Sequence, residues 1–493
     1  MSKINKHIAR QTLRVFSTTA KVPCFLIFLF ALSLTSCKKS VEVSPPVTST
    51  TGAGVYTSDA TAIASLTGIY AKLSQTSGSQ GSVGGFANIS LFTSLSSDEL
   101  TLYSGVSGTS SPYFYYKNAL SITTTGFEFW MMAYQYIFSC NDAIEGLTKS
   151  TSLTIPVKQQ LLGEAKFMRA FFYFYLVNLY GDVPLATTTD YKINALLARS
   201  SKTLVYQQIV ADLKDAQSLL STGYLNGAVN ASTTERVRPN KWAATALLAR
   251  AYLYSGDYAN AETQATSVIS NSSMYGLTTL SNTFLKNSNE AIWQLQPVNA
   301  GWNTEDARLY IIPATGLSSS ANPVQLGSGL VNSFETGDNR STNWVGSITI
   351  SGTVYYYPYK YKVNTLNAGV TEYLMVLRLG EQYLIRAEAR AQLNNIGGAQ
   401  SDLNAIRTRA GLANTIANDK PSLLIAIMQE RKVELFTEWG HRWLDLKRTN
   451  TVDAIMSSVT SQKGGTWNTN WQLYPIPIGD IQKDPNLGQN AGY

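Results

Sequence analysis

Histidine and cysteine are nearly absent. The 493-residue chain holds two histidines and three cysteines. His7 and Cys24 lie in a basic, then apolar, N-terminal stretch, and Cys37 follows it directly. That leaves His441 and Cys140 for everything else. A single cysteine makes no intramolecular disulfide, and one residue of each kind assembles no Cys/His zinc site. Ser-His-Asp chemistry has only His441 to draw on, and His441 sits in a charged helical block where a structural role fits better. Charge is scarce as well, at 14% of residues. Of the net +7, five units are Lys3, Lys6, Arg10, Arg14 and Lys21, with no acid among residues 1–36, so +2 remains beyond them. Nothing basic is left to argue for nucleic acid. The sequence has no G-x-S-x-G, H-E-x-x-H, G-x-x-x-x-G-K-[ST] or G-x-G-x-x-G. No catalytic residue, metal ligand or cofactor is therefore predicted. Long hydrophobic runs are missing too. The longest, Val22 to Leu34, has 13 residues, too few to span a bilayer comfortably but right for a signal-peptide core.

What is present begins at that junction. Leu34-Thr35-Ser36-Cys37 resembles a bacterial lipobox, in which the cysteine is acylated and becomes the new N-terminus. The expected plan is a signal peptide at 1–36 and a lipidated flexible tether at 37–58, rich in Ser, Thr, Val, Pro and Gly, ahead of one domain at 59–493. Aromatic residues are abundant at 11%, with 28 tyrosines, which suits a large core plus an amphipathic aromatic surface.

Helical periodicity dominates the domain. Helices are expected at Thr61–Leu73, Thr125–Leu147, Gln159–Tyr180 and Thr203–Leu220. The second carries Cys140 as a small core residue. In the third, apolar residues cover most of the circumference, which implies neighbours on two sides. Asn240 to Ser270 fits a tetratricopeptide helix pair: Leu248, Tyr252 and Ala261 pack around a Gly256-Asp257-Tyr258 turn. Glu381 to Arg409 repeats it loosely with Ala387, Gly397-Gly398, Ala399 and Leu403. Ile425 to Arg448 reads as one helix, with Glu430, Glu434 and Glu438 on a single ridge. Like charges at that spacing repel unless neutralised, and the preceding segment supplies Arg378, Arg386, Arg390, Arg407 and Arg409. A hairpin is expected over Ser347–Tyr361 around Ser351-Gly352. Polar, loop-rich insertions are expected at about 75–125 and 271–370.

Several blocks, in order, resemble the SusD/RagB family of outer-membrane nutrient-uptake lipoproteins. They are EAKFMRAFFYFYLVNLYGDVPL at 164–185, ALLARAYLYSGDYANA at 246–261, RLGEQYLIRAEARAQL at 378–393, LNAIRTRAGL at 403–412, QERKVELFTEWGHRWLDLKR at 429–448 and the closing YPIPIGDIQKDPNLGQNAGY. Gly380 and Ala491 depart from the usual pattern. The resemblance implies a mainly α, SusD-like fold: interrupted tetratricopeptide-like pairs plus a loop-rich half with short β-hairpins. It also implies binding of an oligosaccharide or similar polar nutrient, anchorage to the outer membrane on its outer face, and a SusC-like TonB-dependent transporter as partner. A surface glycoside hydrolase and a helical-repeat adaptor without glycan binding are the alternatives.

Sugars present flat C–H faces ringed by hydroxyls. A site for them needs exposed aromatic platforms and a few amide, carboxylate or guanidinium groups. Two polar loops, 96–117 and 299–344, concentrate the aromatics. Tyr103, Tyr113, Tyr115, Trp302 and Trp344 are the expected platforms, with Asp98 and Asn303 as hydroxyl partners.

Overall fold

A computed structural model describes residues 52–75, 85–123 and 128–493. The expected signal peptide, Cys37, the tether up to residue 51, most of the 75–85 loop and the expected helix start at 125–127 lie outside the described residues. The last tether residues do not behave as tether. Gly52–Val55 is a helical turn, and Tyr56 is buried with its hydroxyl donating to Asp142 at 2.7 Å. Its ring supplies apolar area that flexible tethers lack. Ser58 then caps α1, Asp59–Ser74.

The longer helices pack each on its neighbours along the chain. α2 is Ile89–Ser96; all of its residues are buried, so the first insertion holds a core helix inside it. After β1 (Leu100–Leu102) and the short α3 (Ser111–Tyr116) come α4, Glu128–Lys149, and α5, Ile155–Tyr180. Pro156 occupies the first turn of α5, where its missing N–H costs nothing. From Phe167 to Tyr180 every residue of α5 is buried, because α4 lies on one side and α6, Lys202–Leu219, on the other. Gly181, at φ +76°, ends the helix.

α7 (Lys241–Ser255) and α8 (Tyr258–Ile269) form the expected helix pair. Asn240 accepts from the N–H groups of Trp242 and Ala243, and Gly256 turns the chain in the left-handed region. Leu248 and Ala261 are fully buried and Tyr252 nearly so.

The loop-rich part contributes β2 (Ala291–Leu295), α9 (Glu305–Tyr310), β3 (Val324–Leu326), β4 (Val345–Ile350), β5 (Thr353–Pro358) and β6 (Leu374–Arg378). β1 pairs with β3, β2 with β6 and β4 with β5, all antiparallel. The β4–β5 hairpin turns at Ser351 and Gly352, both at positive φ, as a two-residue connection that matches strand twist requires.

α10 (Leu379–Gln392) packs on α8, and α11 (Ile396–Arg409) folds back on α10, burying Ala387, Ala399 and Leu403. The long helix expected over Ile425–Arg448 is instead two. α12 ends at Glu434 (Lys420–Glu434), and α13 is His441–Arg448, followed by α14, Val452–Gln462. Between α12 and α13, Thr437, Trp439 and Gly440 all take positive φ. The break drives the Trp439 ring against Phe171 and Tyr175, with its indole N–H donating to the Met375 carbonyl at 2.7 Å.

The glutamates survive that break as one network. Arg378 binds Glu434 at 2.6 Å and Glu438 at 2.8 Å, and Arg409 pairs with Glu434 and Glu290. Arg407 reaches Glu430 at 3.3 Å. Arg386 and Arg390 turn away to Asp402. Their places are taken by Arg340, 2.6 Å from Glu430 and 2.9 Å from Glu434, and by Lys360 on Glu438. The ridge therefore ties the helical array to the loop-rich part.

Candidate functional site

The β1–β3 ladder brings together the two aromatic loops. Leu100 lies opposite Leu326 and Leu102 opposite Val324; immediately beyond, the Tyr103 N–H donates to the Pro323 carbonyl at 2.7 Å. β5 packs alongside β3, so the Tyr-rich hairpin joins the same region. Loop 103–110 is a tight turn with a tyrosine near each end, closed by Val106 N–H to Tyr103 O at 3.0 Å and Ser110 N–H to Ser107 O at 3.1 Å. Gly105 is required there, since a Cβ would come within 2.5 Å of the Tyr103 ring. Tyr113, on α3, stands edge-on to Phe114 at 5.9 Å. Tyr103 and Tyr113 are both half-buried, leaving part of each ring to solvent.

Trp302 is also half-buried. The Arg308 guanidinium sits 4.4 Å from its ring centroid and is held by Glu305 at 2.8 Å. A cation fixed over an indole face is attracted by the ring and orients it.

The other expected site residues fall elsewhere. Tyr115 is fully buried, its hydroxyl donating to Glu128 at 2.9 Å and its ring packed on Phe92 and Tyr474. Trp344 is fully buried too. Its indole donates to the Leu280 carbonyl at 2.9 Å, and Lys360, Arg409 and Arg378 lie 5.1–5.8 Å from the ring. It shields the glutamate–arginine network from water and presents no face to a ligand. Asp98 is a bidentate partner of Arg442, at 2.7 and 2.8 Å, with Lys432 at 3.2 Å. Burial pushes its carboxyl up, but Arg442 and Lys432 outweigh that and hold it well below the usual range. Asn303 is buried: Oδ1 accepts from the N–H groups of Thr371 and Glu372, and Nδ2 donates to the Gly369 carbonyl. It staples residues 369–372 to the start of α9 and is not free to meet a hydroxyl.

Aromatics that the sequence reading passed over stand on the hairpin. Tyr355, Tyr357 and Tyr359 are half-buried and Tyr356 is exposed. Tyr357 lies across Gly346, where a Cβ would be only 2.3 Å from it. The signal in the sequence is the run Tyr355-Tyr356-Tyr357-Pro358-Tyr359.

Two acids near these loops are out of the ordinary. Burial lifts Asp306, on α9, to about 7, helped by Glu305 beside it. Burial likewise lifts Glu99 to about 7. His441 is buried against Glu381, and burial followed by Arg250 pushes its imidazole well below the usual value, so it is neutral and enclosed. Burial raises the Cys140 thiol as well. A cleft of about 880 Å³ is lined by residues of α7, α10, α12 and α13.

These features define a class: a helical-repeat scaffold that displays aromatic loops stitched together by short strands. The chain belongs to the SusD/RagB family. The family described as "SusD family" matches residues 282–493, and that described as "Starch-binding associating with outer membrane" matches residues 68–253. SusD-like protein P25 of Formosa agariphila is 24% identical over 427 residues, spanning 74% of this chain and 79% of that protein. The starch-binding protein SusD of Bacteroides thetaiotaomicron is 33% identical over 123 residues, 24% of this chain and 21% of its own. Among solved structures, a SusD superfamily protein from Bacteroides vulgatus superposes with a TM-score of 0.74 at 20% identity, covering 88% of this chain and 99% of that one. A laminarin-binding SusD-like protein gives 0.71 at 24% identity, covering 88% and 99%. At such identities the structural likeness carries the fold, which is mainly α with short antiparallel strands.

Proposed function

We propose that this protein is an outer-membrane lipoprotein that binds an oligosaccharide and delivers it to a TonB-dependent transporter. One observation carries the binding half: Tyr103 beside the β1–β3 ladder, Tyr113 on α3 and Trp302 ahead of α9 all keep solvent-facing ring area. Flat, partly exposed rings stack on the C–H faces of sugars, and the Arg308 guanidinium over Trp302 fixes that ring in place. The names of relatives that bind starch or laminarin support a glycan as the ligand class. Cys37 carries the lipid anchor, and the domain faces outward. A single acyl chain gives marginal membrane affinity, so stable anchoring requires the several chains of a lipoprotein terminus. In fractionated cells, Cys37→Ala protein is expected in the soluble fraction; its persistence on membranes contradicts the anchor.

A second reading, surface glycoside hydrolysis, has one observation in its favour. Asp306 carries a carboxyl raised to about 7, as a general acid requires. Incubating the soluble form with its glycan separates the two readings. Binding with the sugar unchanged supports capture, and reducing ends that appear with wild type but not with Asp306→Asn support hydrolysis.

A further inference from the structure

α4 and the chain segments 184–197 and 480–487 line a groove of about 380 Å³. Its walls are apolar and aromatic, led by Trp130, Tyr134, Ile137 and Phe138. Phe138 is 52% exposed although it faces this groove. One acceptor is set into the wall: the Asn194 side-chain oxygen is buried and has no hydrogen-bond partner among the described residues, while its amide N–H is already given to Thr188. An unpaired buried acceptor costs stability until a donor reaches it. The rim bears Asp480, which takes the Trp130 indole N–H at 3.0 Å and has the exposed Lys483 3.9 Å away, and Asp484, which has no ion-pair partner among the described residues.

The apolar surface extends past the groove. Met131 on α4 and Tyr191, Ile193 and Leu196 on the adjoining turn are 48–73% exposed. Apolar patches of that kind mark protein contact surfaces. A small molecule filling the groove leaves those side chains wet, whereas a protein surface covers both. The occupant therefore needs an aromatic body for the walls, one N–H or O–H for Asn194, and positive charge for the rim. We propose that the groove is a docking seat for a partner protein that inserts a Tyr or Trp side chain flanked by a basic residue. Buried aromatic anchors of that kind dominate interface energies. The choice of partner rests on the transporter reading above; the seat itself rests on the groove.

The test uses the full-length protein in its native outer membrane, with Phe138→p-benzoylphenylalanine as a photo-crosslinker. Irradiation is expected to yield an adduct with the transporter, at a peptide that holds Tyr or Trp next to Lys or Arg. Ala195→Trp, which fills the groove from its exposed edge, is expected to cut that adduct and transporter co-purification at least tenfold while glycan affinity stays within twofold. Adducts only with lipid, with a second copy of this chain or with a free aromatic compound overturn the seat. So does transporter co-purification that Ala195→Trp leaves unchanged, an outcome that keeps the transporter reading intact. If no transporter co-purifies with the wild type and no adduct forms, both readings fall.

Discussion

Glu99 accepts from the Ser94 hydroxyl at 2.5 Å and, more weakly, from the Thr437 N–H at 3.3 Å, in a site with almost no water. Burial raises its carboxyl from 4.5 to about 7. A carboxyl whose folded pKa is raised supports the fold fully below the unfolded value, and that support is lost as pH rises through 4.5 to 7. Glu99→Gln is therefore expected to leave stability unchanged at pH 4 and to raise it by on the order of 2 kcal/mol at pH 8. Urea denaturation at the two pH values checks this; equal effects at both contradict it. Glu434 has the opposite sign. Burial opposes its charge, yet Arg409, Arg378 and Arg340 hold its carboxyl well below the usual range, so its support is present above about 4.5 and lost as pH falls. Glu434→Gln is expected to cost ~3–5 kcal/mol at pH 7, because buried arginines lose their counter-charge. Much of this was legible in the chain: Arg378, Arg407 and Arg409 belong to the helical segment that precedes the glutamates and do meet them. Arg340 and Lys360 were not, because they arrive from a loop whose return path no local pattern encodes. Trp344 was misread for the same reason. A tryptophan in a polar stretch looks exposed until the buried cations around it are known.

At the level of elements, period and turn chemistry told most of the story. The α7–α8 pair was readable because Gly256 marks the turn and Ala261 lets the two helices approach. Ala261→Arg is expected to lower the melting temperature by ten degrees or more, since it overpacks that contact and buries an unpaired charge. An unchanged melt contradicts the paired-helix account. The α12–α13 break escaped detection because only Gly440 among its three positive-φ residues is a glycine. Thr437 and Trp439 adopt that backbone under tertiary pressure: Trp439 fills a core slot beside Phe171, and Lys360 binds the carbonyls of Glu434 and Phe436 at 2.9 and 2.8 Å. Helix α2 was missed inside a presumed loop insertion, because its short FANISLFTSLS stretch is too brief to show a period.

For the whole molecule, the division of labour follows from these parts. The helical array is rigid and almost solidly packed, and it fixes the loop-rich part through the Glu430–Glu434–Glu438 network. The β1–β3 ladder then holds the aromatic loops side by side. Family membership was legible from ordered blocks along the whole domain. The individual ligand contacts were not, since composition locates an aromatic-rich loop but not which of its rings turn inward. Calorimetric titration of the form lacking residues 1–37 against the glycan selected from an array is the most direct test. The account predicts that Trp302→Ala and Tyr113→Ala each weaken binding about tenfold or more, ~1.4 kcal/mol, with melting temperatures near wild type. Full affinity in both variants, with the fold intact, contradicts it.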